Sequence, residues 1–195
     1  MKLHFLLTGV LAALCTFANV NLAFSGDWIY GIGFTAGVGR LEGDLRDPQI
    51  SPLISGHLRV QPIPYLSFSG ELGFSPLDSE NHQNPAFTDF KTTIVPFELS
   101  AIFNFLPFKK VNPFVFAGGG GVYWEATNNG TTLEDGVDSF LKTGGGLEFR
   151  LAPTIGVSMG ATYRFSLTDA FDQLRQGDEN DQVVDVYAGL TYYFN

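Results

Sequence analysis

The chain has 195 residues, room for one ordinary domain or one small barrel, and carries 20 acidic against 11 basic residues for a net charge of −9. That balance provides no basic surface for phosphate and argues against nucleic acid as a partner. The single cysteine, Cys15, falls inside the N-terminal segment described next, so neither a disulfide nor a thiolate metal site is expected of the mature chain.

In chain order, Lys2 and His4 precede an apolar run at 5–14 that is followed by small residues. The run is roughly half as long as a membrane-spanning helix requires, and residues 1–25 read as a secretory signal peptide cleaved after Ala18 or Ser25. A lipoprotein site would want a small residue before Cys15, where Leu14 stands instead. The remaining residues, 26–195, form one domain.

From there on, apolar residues alternate with small or polar ones at period two, the signature of strands. Tyr30, Ile32, Phe34, Ala36 and Val38 make one face of the first segment, with glycines and Thr35 on the other. Leu66, Phe68, Leu72 and Phe74 alternate with serines, Glu71 and Gly73, and 155–167 repeats the pattern. Eight segments are expected, at 28–40, 53–61, 66–75, 93–105, 113–126, 140–151, 155–167 and 184–194. Tight, often proline-bearing turns at 62–65, 107–112 and 152–154 alternate with long polar loops at 41–52, 76–92, 127–139 and 168–183. This is an all-β pattern, an eight-stranded antiparallel up-and-down transmembrane β-barrel with its short turns at one end and its long loops at the other. The bulky face would overfill the interior of an eight-stranded barrel, so it is assigned to the outside and the Gly, Ser and Thr face to the inside.

Three stretches resemble the OmpA-like outer-membrane β-barrel domain family. Asn112-Pro113-Phe114-Val115-Phe116-Ala117, followed by the four glycines at 118–121, resembles its fifth strand. Gly145-Gly146-Leu147-Glu148-Phe149-Arg150-Leu151-Ala152-Pro153 is similar to its sixth strand and following turn. In the last segment Gly189, Tyr192 and Phe194 resemble the signal read by the barrel-assembly machinery, with the difference that Asn195 follows the aromatic. The resemblance implies an outer-membrane location after export through the periplasm, contact with outer-membrane lipid and lipopolysaccharide, the assembly machinery as partner during insertion, and an unknown extracellular partner for the loops.

On this register the lumen holds His57 and nine charges, Arg59, Glu71, Glu98, Glu125, Lys142, Glu148, Arg150, Arg164 and Asp185. Charges shut inside a barrel need partners or water. Symmetric hairpins put Arg164 opposite Asp185 and Glu125 nearly opposite Lys142. Glu71 and Glu98 fall nearly opposite each other, with His57 and Arg59 as the expected neutralisers. This set is read as a polar network filling the barrel, or alternatively as a gate. The loops contain fourteen acidic residues, the sharpest group being Asp178-Glu179-Asn180-Asp181, whose spacing does not match an EF-hand, so a solvated loop is expected rather than a metal site. Trp28 and Tyr30 near one end, and Tyr123, Phe140 and an outward Trp124 near the other, suit interfacial aromatic girdles.

Two glycine patterns, Gly31-x-Gly33-x-x-Ala36 and 118–121, imitate nucleotide-binding loops, but no helix follows the first and no Lys-Ser or Lys-Thr the second. No catalytic residue and no cofactor is expected. The function expected is structural or surface-interacting, with a narrow gated channel as the alternative. A lipid A-modifying enzyme is a further alternative, which would need a lipid-facing Ser–His–acid set that neither His57 nor His82 supplies by spacing.

Overall fold

The computed structural model describes residues 28–42, 50–78, 90–128, 131–167 and 182–195. The expected signal peptide, His82 and the Asp178–Asp181 cluster lie outside them. Eight strands follow one another: β1 (Ile29–Glu42), β2 (Ile50–Ile63), β3 (Leu66–Asp78), β4 (Phe90–Asn104), β5 (Val111–Asn128), β6 (Thr131–Ala152), β7 (Ile155–Ser166) and β8 (Gln182–Phe194). Every strand pairs antiparallel with the next, and β1 pairs with β8 from Tyr30↔Phe194 to Glu42↔Gln182, which closes the barrel and leaves no sheet edge.

The alternation expected from the sequence places the same side chains outside in most strands. Ile32, Phe34, Ile54, Phe68, Leu99 and Met159 all face outward and are about half exposed, Ile54 at 60%. Such a continuous apolar belt is stable only against lipid.

Two features differ from expectation. The loop expected at 127–139 is largely strand, because β5 runs to Asn128 and β6 begins at Thr131. The hairpin is extended by inward packing, with Val122 1% exposed and Trp124 and Phe140 also buried. The second difference is the parity of β5. Its even-numbered residues point inward, so Phe114, Phe116 and Trp124 are buried in the lumen while Val115 and Ala117 face out. Trp124 and Phe140 are therefore lumen residues rather than girdle residues. Tyr30 does stand on the outward face, stacked 5.9 Å from Phe194 at the short-turn end.

Large rings fit inside a narrow barrel because glycine faces them from the neighbouring strand. A Cβ on Gly144 would lie 2.5 Å from the Phe116 ring, and one on Gly136 would lie 2.6 Å from the Trp124 indole. Both pairs are direct cross-strand neighbours. The glycines that imitate nucleotide loops thus belong to strands, in β1 and β5.

Candidate functional site: the charged lumen

The inward charges form two clusters. Near mid-barrel, the register sets Glu71 of β3 directly opposite Glu98 of β4. Like charges in that position repel. The cation that resolves this comes from across the lumen: Lys142 of β6 donates to Glu71 at 2.7 Å and also to Glu98. Arg164 of β7 donates from Nε to Glu98 at 2.8 Å and pairs with Asp185 of β8. Ser55 donates to Glu71, and the Thr35 and Ser55 hydroxyls lie 2.5 Å apart, which joins β1 and β2 to the network.

Toward the short turns, Glu148 of β6 is 1% exposed and accepts bonds from Arg59 at 2.8 Å, Arg150 at 2.7 Å and the Tyr193 hydroxyl at 2.6 Å. Arg59 also reaches the Tyr193 oxygen at 2.7 Å. Four cations and four carboxylates are thus paired, so the network is close to neutral. That is the condition for burying charge at tolerable cost.

Each of the four cations also lies against an inward ring. Arg59 is 6.0 Å from the Phe114 centroid, Lys142 5.3 Å from Phe116, Arg150 3.7 Å from Tyr193 and Arg164 6.0 Å from Phe140. A desolvated cation on a ring face adds roughly 0.5–2 kcal/mol. Strand β5, which contributes no charge to the network, takes part through Phe114 and Phe116.

The partner assignments read from hairpin symmetry are corrected in three places. Glu125 is not in the lumen: it shares the outward parity of β5, pairs in register with Asp135, and accepts a hydrogen bond from Thr132 at 2.7 Å. Lys142 accordingly has Glu71 and Glu98 as partners. His57 and Arg59 do not neutralise that pair, since His57 meets Thr191 at 2.9 Å and Arg59 belongs to the Glu148 cluster. Arg164 and Asp185 do form an ion pair, but on the diagonal, because Asp185 is in register with Thr162. The aromatic partners were missed because β5 is apolar on both faces. Tyr193 shares the inward parity of Asp185 and Thr191, whereas Tyr192 and Phe194 face outward.

Residues 8–194 match the family model of the outer membrane protein beta-barrel domain. The chain belongs to this family. It is a protein of the outer membrane. A search of curated proteins finds no match. Among solved structures, this outer-membrane barrel is similar to Neisserial surface protein A at 17% identity and a TM-score of 0.64, covering 85% of this chain and 97% of that one. Ail, the attachment invasion locus protein of Yersinia pestis, gives 16% identity and 0.58, with 85% and 98% covered. The outer membrane enzyme PagL gives 13% and 0.51, with 80% and 97% covered. At these identities the likeness is one of fold.

Among the lumen side chains lies a cavity of about 60 Å³, bordered among others by His57, Arg59, Glu71, Lys142, Arg164 and Tyr187. It has room for roughly four to six waters. His57 is the one histidine among the described residues, and it faces this lumen rather than lipid. At the end away from the short turns the Trp124 indole N–H donates to Asp138 at 2.7 Å, with both residues buried. Trp124→Phe is expected to lower stability by about 1–3 kcal/mol, the cost of removing a donor from a buried carboxylate. A fall in the urea midpoint at unchanged slope would register it, and an unaltered midpoint would mean that Asp138 is satisfied without the indole.

Proposed function

We propose that this barrel is a closed, non-enzymatic scaffold of the outer membrane that holds acidic loops at the cell surface. The observation carrying this reading is the lumen network. Its ion pairs join β2, β3, β4, β6, β7 and β8 across the interior, around a cavity of about 60 Å³. A substrate cleft has no place in an interior so filled. Two barrels of this fold, Neisserial surface protein A and the attachment invasion locus protein, are named for surface exposure and attachment, which suits the same role. Gly189 inside, with Tyr192 and Phe194 exposed and stacked 6.3 Å apart outside, suits the expected recognition by the assembly machinery.

A second reading, a gated channel, is favoured by one feature. Lys142 is shared by Glu71 and Glu98, and Glu98 is shared by Lys142 and Arg164, so partners can be exchanged without any charge being left alone. Single-channel recording in planar bilayers separates the two readings. The scaffold predicts a heat-modifiable gel shift with no steady conductance. Discrete openings that change on Glu71→Gln or Glu98→Gln would overturn it in favour of the channel.

A further inference from the structure

We propose that the periplasmic turn at 105–110 is an anchor that binds the anionic headgroups of phospholipid in the periplasmic leaflet. The turn reads Phe105-Leu106-Pro107-Phe108-Lys109-Lys110 and joins β4 to β5. Phe108 is 75% exposed, Phe105 and Leu106 are about half exposed, and both lysines are exposed. The apolar part continues the lipid-facing belt, for Phe105 sits edge-on to Phe103 at 5.1 Å and Phe108 edge-on to Tyr65 of the neighbouring turn at 6.2 Å.

The turn is held in place by a buried polar ladder. The Leu106 N–H donates to Asn112 Oδ1 at 2.9 Å, Asn112 Nδ2 to Asn104 Oδ1 at 2.9 Å, and Asn104 Nδ2 to Ser67 Oγ at 3.0 Å. Asn104 and Asn112 are 3% and 4% exposed. Backbone bonds from Phe105 N–H to the Pro113 carbonyl at 2.9 Å and from Arg150 N–H to the Lys110 carbonyl at 2.8 Å secure both ends. Two amide side chains committed inside the barrel to one exposed turn make its shape fixed, so presenting it to a binding surface costs little ordering entropy.

Charge selects the occupant. The protein is acidic as a whole, yet among the described residues this rim has two adjacent exposed cationic side chains and no exposed acidic side chain, since Glu148 is buried between two arginines. Rings at interfacial depth with two ammonium groups beside them match a surface that is apolar below and phosphate-bearing above.

The test is native mass spectrometry of the folded protein released from nanodiscs of equal phosphatidylglycerol and phosphatidylcholine. The protein is expected to retain phosphatidylglycerol over phosphatidylcholine about tenfold, and K109Q/K110Q to lose most of that preference. The heat-modifiable gel shift, unchanged in the variant, confirms that both are folded. Equal retention of phosphatidylglycerol by the two proteins would overturn the proposal and point the lysines toward an acidic polymer or protein of the periplasm.

Discussion

Replacing Lys142 by Met is expected to destabilise the barrel by about 3–5 kcal/mol, the cost of leaving buried carboxylates without their cation. Glu71 and Glu98 occupy directly opposed positions on β3 and β4, and Lys142 is 7% exposed and bonded to both. Without it, Glu98 keeps Arg164, but Glu71 retains only hydroxyl neighbours and the repulsion between the two is unrelieved. The measurement is the urea midpoint in detergent micelles, read beside the temperature at which the compact gel band disappears. The triple variant K142M/E71Q/E98Q is the control. It removes one positive and two negative charges and leaves Arg164 paired with Asp185, so most of the lost stability should return. A K142M protein as stable as wild type would mean that the opposed carboxylates are not held apart by this lysine, and the scaffold reading would lose its main support.

The eight strands and the outward belt were legible because the inward faces of β1, β3 and β7 are mostly Gly, Ser and Thr, which makes alternation unambiguous. Strand β5 carries no such signal. Phe114 and Val115, or Phe116 and Ala117, are both apolar, so parity there is decided by what the neighbouring strands can accommodate, namely glycine opposite each ring. The identity of most charged lumen residues was legible from the same alternation, but their partners were not. Hairpin geometry relates a residue only to its two neighbouring strands, whereas Lys142 on β6 meets β3 and β4, and Arg59 on β2 meets β6 and β8. Those distances are set by closure and strand tilt, which depend on all eight registers at once.

The same dependence makes Gly120 a sensitive position. Replacing it by Ala is expected to cost about 3 kcal/mol, the upper end of the overpacking range, and Gly120→Val to prevent formation of the compact gel band. A Cβ on Gly120 would lie 2.0 Å from the Phe97 carbonyl oxygen and 2.9 Å from the Glu98 Cα, and one on Gly118 would lie 2.0 Å from the Leu99 carbonyl oxygen. The obstacle is the backbone of β4, which cannot rotate aside as a side chain would. Gly70→Ala and Gly56→Ala are the matching controls, since their new methyl groups would meet nothing closer than 3.5 Å and 3.9 Å. Both should fall within about 1 kcal/mol of wild type, with a small gain where the unfolded chain loses freedom. The contrast has a structural meaning beyond crowding. In register, Gly118 is the neighbour of Lys142 and Gly120 the neighbour of Glu98, so β5 lies between the two partners of the central ion pair. The lysine reaches the carboxylate over bare backbone. Gly118 and Gly120 share the inward face with that pair, so a substitution that displaces β4 is expected to weaken the Lys142–Glu98 pair as well as crowd the strand. A G120A/K142M double variant tests the connection: if the glycine serves the ion pair, the two losses will fall short of additive. Strict additivity would show that Gly120 matters only for the approach of the two strands.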